Sequence, residues 1–301
     1  MSIADLHADL LWYLAKDSGR TPFDAASQIS LTQLTAGGVK LQIFPIYTKT
    51  GHDSVQEGEK QWTIYNHAFP FFATHLTPRL SIENSSSFCS EDEPLEVGLK
   101  RLARWHAAYP LVYISLTWNE ENRFGGGAAT SIGLKDDGKK LLEWMQGKKI
   151  AVDLSHASDA LAEAVLKETV TLVPIASHSN FRSVHSHERN LPDHLAQEIC
   201  RKGGIIGLNL IRHFVGSQVQ DFLRHLEHAH RLGIENHLCL GADFFPEIDV
   251  EKEKAHLKPY FFEGFSNPEC FPKLCEMLRG NFSEAFIENL LSKRLMQFLA
   301  E

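Results

Sequence analysis

A histidine and an aspartate stand two apart near the start of the chain, in Asp5-Leu6-His7-Ala8-Asp9. On a strand, alternate side chains share a face, so His7 and Asp9 aim an imidazole and a carboxylate into one space. That pair suits a borderline cation such as zinc. Alone it is no more than an ordinary polar strand end. Residues of the same kinds recur, each just after a short apolar run. Glu83 follows Leu80-Ser81-Ile82, His156 follows Asp153-Leu154-Ser155, His178 follows Ile175-Ala176-Ser177, and Asp243 follows Leu240-Gly241-Ala242. Crowded buried carboxylates repel one another unless cations neutralise them. Most of the 16 histidines need another explanation. His225, His228 and His230 read as surface-helix residues, and with His52, His67, His75, His106, His237 and His256 they receive no role. His185 and His187 read as lying near the same rim without being ligands.

Those apolar runs set the architecture. Candidate strands fall at 3–6, 39–47, 79–83, 111–117, 150–154, 171–176, 204–210 and 238–242. Several are continuously apolar, the pattern of parallel strands buried on both faces. Helical patterns fill the gaps at 56–75, 95–108, 136–146, 158–168, 192–202 and 217–232, with two more at 268–279 and 283–299. Strands alternating with helices predict an α/β fold, a (β/α)8 TIM barrel with extra C-terminal helices, as one domain over residues 1–301. A doubly wound open sheet competes, but no GxGxxG turn or P-loop follows any strand. The stretches 83–94 and 244–267 read as long loops. In a barrel, chemistry gathers at the carboxyl ends of the strands, where these histidines and acids fall.

The totals exclude other classes. A formal charge of −8 argues against nucleic acid or an anionic membrane as the main partner. Five cysteines without a CxxC pattern read as reduced, mostly buried thiols, with the cytoplasm as the expected compartment. The first dozen residues lack the basic and apolar regions of a signal peptide. No apolar run approaches the length of a membrane span.

At this point the motifs resemble the membrane dipeptidase (renal dipeptidase) family, M19 peptidases built as amidohydrolase-like, metal-dependent hydrolase barrels. The likeness rests on Asp5-Leu6-His7-Ala8-Asp9, Gly37-Gly38-Val39 with Gln42, the strand ending in Glu83, Ser115-Leu116-Thr117, and Asp153-Leu154-Ser155-His156. It continues through Ser177-His178-Ser179, Arg189-Asn190-Leu191-Pro192-Asp193, Gly203-Gly204-Ile205-Ile206-Gly207 and Gly241-Ala242-Asp243-Phe244. The resemblance implies two Zn2+ per chain, with His7 and Asp9 on one, His156 and His178 on the other, and Glu83 and a water or hydroxide bridging them. It implies that Arg189 pairs with the free carboxylate of a dipeptide and that Asp243 shuttles the proton of the attacking water. Trp118 and Asn119 would line the substrate pocket. It is also compatible with a homodimer.

Three departures stand out. Trp118 replaces the histidine that follows the strand-4 Leu-Thr in the best-known members, and Asn84 replaces the glycine after the strand-3 glutamate. Phe245 replaces the second aspartate after strand 8. Glu91 and Glu93 therefore compete with Glu83 as the bridging acid. Arg189 also has a bland alternative, an ion pair with Glu188 or Asp193. The expected activity is a zinc dipeptidase. The alternatives are a related hydrolase of N-acyl amino acids or lactones, and a catalytically silent barrel that binds metal or peptide.

Overall fold

The computed structural model describes residues 2–169 and 171–300. Its strands are β1 (Ile3–Asp5), β2 (Val39–Tyr47), β3 (Thr77–Glu83), β4 (Leu111–Ser115), β5 (Ala151–Asp153), β6 (Pro174–Ile175), β7 (Ile206–Leu208) and β8 (Leu238–Leu240). All pair in parallel, in the order β6-β5-β4-β3-β2-β1-β8-β7. A bridge between Ala176 and Ile206 closes the two ends into a barrel. There Ala176 N donates to Ile205 O at 3.0 Å and Gly207 N donates to Ala176 O at 2.7 Å. The closure needs glycine. A Cβ on Gly207 or Gly241 would stand 2.1 or 1.9 Å from the Ser177 carbonyl oxygen, which is inside any real contact distance.

Two buried clusters hold the barrel. The larger lies between strands and helices and includes Phe44, Phe72, Trp105, Phe222 and Leu274. The smaller fills the barrel itself, with Ala4, Leu6, Leu41, Ile43, Tyr113, Ile175 and Cys239 contributed by strands around its circumference. Leu295 belongs to this cluster, and Phe298 and Leu299 pack against it. The C-terminal helix Arg294–Ala300 thus buries apolar area against the strands rather than merely following them.

The expected (β/α)8 barrel with extra C-terminal helices is the fold observed. Differences are local. Most strands stop short of their expected C-terminal limits, as β4 does at Ser115 and β8 at Leu240. Beyond those points the backbone leaves the ladder to aim side chains at the rim. Two helices, Leu10–Lys16 and Leu31–Ala36, occupy a stretch with no helical expectation. The second is started by a capping box between Ser30 and Gln33. The expected loop at 244–267 contains short 3-10 turns at Glu247–Asp249 and Lys252–Leu257. The 83–94 loop contains another, Ser85–Ser87. No helix among the described residues is long and apolar enough to cross a membrane.

His225 requires a correction, because it is fully buried rather than on a surface face. The helix Asp221–Leu232 turns Phe222, His225, Leu226 and Ala229 inward, the spacing of an apolar helix stripe. Both ring nitrogens are satisfied: Nε2 donates to Val215 O at 3.0 Å and Nδ1 accepts from Phe181 N at 3.2 Å. Burial holds this imidazole neutral, with a pKa pushed down to about 4.

Candidate metal centre and substrate cavity

The carboxyl ends of the strands bring His7, Asp9, Glu83, His156, His178 and Asp243 together. Ligand atoms fall into three groups, each within 4.8 Å: His7, Asp9 and Glu83; Glu83, His156 and His178; His7, His178 and Asp243. Glu83 links the halves. Its Oε2 lies 3.1 Å from His7 Nε2 and its Oε1 lies 2.8 Å from His156 Nε2. The competing acids are engaged elsewhere. Glu91 accepts from Arg123 N at 3.0 Å, and Glu93 accepts from the Arg101 guanidinium at 2.8 Å.

The hydrogen bonds behind the rings fix their tautomers. Tyr113 donates its hydroxyl proton to Leu6 O at 3.3 Å, so it accepts from His7 Nδ1–H at 2.7 Å. Ser177 donates to Asp153 Oδ2 at 2.8 Å and so accepts from His178 Nδ1–H at 2.8 Å. Asn119 Oδ1 accepts from His156 Nδ1–H at 2.8 Å. All three Nε2 atoms therefore present lone pairs to the cluster. This is how outer partners prepare imidazoles for a metal. Asp153 holds the frame, accepting from the hydroxyls of Ser115, Ser155 and Ser177 and from the Ser177 backbone.

The donor set fits a cation and little else. His156 Nε2 and His178 Nε2 are 2.7 Å apart, both with lone pairs facing in. Buried His7 Nε2, Asp9 Oδ1 and Glu83 Oε2 have no hydrogen-bond partner. Acceptors at such distances repel unless a positive charge lies between them. Imidazole nitrogens mixed with carboxylate oxygens are ligands suited to zinc.

Asp243 and Asn84 occupy positive-φ positions, at 61° and 73°. Asp and Asn are among the side chains that tolerate this region. Asn84 thus takes the conformation that a glycine would favour after the strand-3 glutamate. Its amide donates to Thr48 O at 2.8 Å, pinning the chain just beyond Glu83.

Without a counter-cation, burial pushes the carboxyls of Asp9 and Glu83 up to about 8, and Asp243 well above the usual range. Burial also holds His156 and His178 well below the usual imidazole range, so they stay neutral. The sign follows. A raised carboxyl pKa favours the folded state fully below the unfolded value near 4, and that contribution is lost as pH rises through about 8. A divalent ion needs the ionised forms and displaces their protons. Its affinity should therefore rise by about tenfold per pH unit for each proton displaced below pH 8. Thermal melts with zinc and with chelator should diverge progressively from pH 6 to pH 8. A gap independent of pH would show that these acids do not hold the metal.

The cluster opens into a cavity of about 820 Å3. Trp118 and Asn119 line it, and the Trp118 ring lies 5.9 Å from the His156 ring. Arg189 enters from the loop after β6. It is 5% exposed, its Nη2 is 3.3 Å from His156 Nε2, and its Nη1 has no partner. Its bland alternative does not form. Asp193 receives a hydrogen bond from His228 at 2.8 Å, and Glu188 lies 3.6 Å from His187. His185 and His187 line the cavity outside the ligand groups, as expected. Sequence reasoning gave no role to Tyr113, Asp153 or Ser177. Only the adjacency of Asp153 and Ser177 to the ligand histidines signalled them.

Comparison with known proteins gives the context. A dipeptidase of Clonostachys rogersoniana, verJ, is 27% identical over 197 residues, which cover 62% of this chain and 47% of that protein. An uncharacterised Klebsiella pneumoniae protein, from the pqqA 5' region, is 31% identical over 144 residues, 42% of this chain and 52% of its own length. The chain thus spans about half the length of the curated relatives it matches. The crystal structure of a metallo peptidase from Rhodobacter sphaeroides, liganded with a phosphinate mimic of the dipeptide L-Ala-D-Ala, superposes with a TM-score of 0.84. That alignment covers 100% of this chain and 99% of the other at 19% identity, which establishes a shared fold. The model of the membrane dipeptidase family matches residues 1–301, and the chain therefore belongs to that family, peptidase family M19.

Proposed function

We propose that the protein is a binuclear zinc dipeptidase that cleaves dipeptides bearing a free C-terminal carboxylate. One juxtaposition supports this above all. A cluster of unsatisfied metal-type ligands lies beside a buried guanidinium with a free Nη1, at the floor of one cavity. His7 and Asp9 would hold one ion, His156 and His178 the other, with Glu83 shared. Bound there, two divalent ions supply Lewis acidity, which polarises a scissile carbonyl and acidifies an attacking water.

The chain's own groups do the rest. Arg189 binds the substrate's terminal carboxylate as a planar, charge-assisted pair. Bound there, the carboxylate would set the scissile bond over the cluster, because Arg189 Nη2 lies 3.3 Å from His156 Nε2. Asp243 takes the proton of the attacking water and returns it to the leaving amine. Asn119, Tyr113 and Ser177 hold the three rings in register. Trp118 walls the pocket where the better-known members carry histidine. A reducing compartment such as the cytoplasm is part of this proposal, in keeping with five buried cysteines.

The test is direct. Purified protein should carry about two zinc ions per chain and hydrolyse Ala-Ala, with activity lost to chelator and restored by zinc. N-acetyl-alanine and a simple lactone serve as controls. Protein that holds zinc but cleaves a control and not the dipeptide would overturn the reading, as would protein that binds no metal.

A further inference from the structure

We infer that Arg212 forms a second carboxylate subsite, one that selects an acidic side chain on the C-terminal residue of the substrate. This rests on the dipeptidase reading and on Arg189 taking the terminal carboxylate. Arg212 lines the cavity and is half-buried. Its backbone is fixed, with N donating to Tyr260 O at 2.8 Å and the neighbouring Ile211 bridged to Phe261. Its guanidinium has no hydrogen-bond or ion-pair partner among the described residues.

Every other Lys or Arg on the cavity wall is engaged. Lys49 is ion-paired with Glu251. Lys254 lies 4.7 Å over the Trp118 ring and Lys16 lies 5.5 Å over Trp12. Arg189 lies 5.6 Å over Phe214. Arg212 alone has neither an acid nor an aromatic face. Five N–H donors drawn partly out of water without an acceptor are costly, and a bidentate carboxylate offsets that cost well.

Position identifies which substrate residue would supply the acid. Arg212 and Phe214 belong to one short helix, Arg212–Val215, after β7. The Arg189 loop is tied to it through Asn190 Nδ2, which donates to Phe214 O at 2.8 Å. Both arginines thus line one cavity from adjoining segments. A C-terminal aspartate or glutamate carries two carboxylates on one residue, the matching arrangement. The Trp118 wall is a poorer site for an acid, because its Lys49 is already neutralised by Glu251 and its Lys254 is seated over the Trp118 ring.

Steady-state kinetics on the zinc-loaded full chain decide it. Ala-Glu and Ala-Asp are compared with Ala-Gln and Ala-Asn, and Glu-Ala with Gln-Ala. The acid should be preferred at the C-terminal residue by about tenfold or more in kcat/KM, with no such preference at the N-terminal residue. Arg212→Gln should bring the C-terminal ratio to about one, and Arg212→Lys should keep part of it. A wild-type ratio near one overturns the inference, as does a preference that survives Arg212→Gln or falls on the N-terminal residue. Where Arg212→Gln does not fold, Arg212→Lys carries the test, and a ratio unchanged from wild type overturns the inference. If none of the six dipeptides is cleaved, the dipeptidase reading itself fails and the role of Arg212 falls with it.

Discussion

Asp243→Asn is expected to lower kcat by about a thousand-fold while leaving zinc content unchanged, within the range typical of a lost general acid–base. Asp243 Oδ1 lies 3.8 Å from His7 Nε2, against 3.7 Å for Asp9 and 3.1 Å for Glu83, so metal content and not distance must tell its role. The residue is held at a φ of 61°, with its N–H donating to His7 O at 3.1 Å. A non-glycine residue in that region costs energy and persists where the surroundings enforce it, commonly at functional sites. Asparagine tolerates the same backbone conformation, so the substitution removes proton transfer with little disturbance of shape. Asp243 also groups with His7 and His178 within metal-binding distance, which gives the opposite outcome a clear signature. If Asp243→Asn loses metal in proportion to activity, Asp243 is a ligand and the proton assignment is wrong. Wild-type turnover would exclude both roles.

The parts of the site legible in the sequence are those that follow from period. His7, Glu83, His156, His178 and Asp243 each end an apolar run, and a barrel collects strand ends on one rim. Their supporting residues were not legible for the same reason. Tyr113 sits inside an apolar strand and reads as core, while its hydroxyl serves His7 from across the barrel. The burial of His225 depends on which helix face meets the strands, and a lone polar residue on an apolar stripe does not announce that. Arg212 lies just past a short strand, and its lack of an acid is a property of the closed chain. The resemblance also left two substitutions unexplained that the backbone accounts for or locates. Asn84 stands at a positive φ, and Phe245 lines the cavity.

Glu83→Gln is expected to reduce zinc from about two ions to less than one and to lower activity by at least about a thousand-fold, because both its oxygens face imidazole lone pairs. Glutamine keeps the volume but offers one oxygen and an NH2 group, so at most one half of the cluster retains its acceptor. The matched controls are Glu91→Gln and Glu93→Gln, whose carboxylates serve Arg123 and Arg101, and both should keep full zinc. A second readout separates ligand from scaffold. In chelator, the wild type buries a carboxyl whose pKa is raised to about 8, and its ionisation opposes folding as pH passes that value. Glutamine never ionises. Chelated Glu83→Gln should therefore melt at or above chelated wild type at pH 9, although it melts below zinc-loaded wild type. A variant that keeps two zinc ions would remove Glu83 from the bridging position. One that melts well below wild type in chelator would make it a structural carboxylate instead.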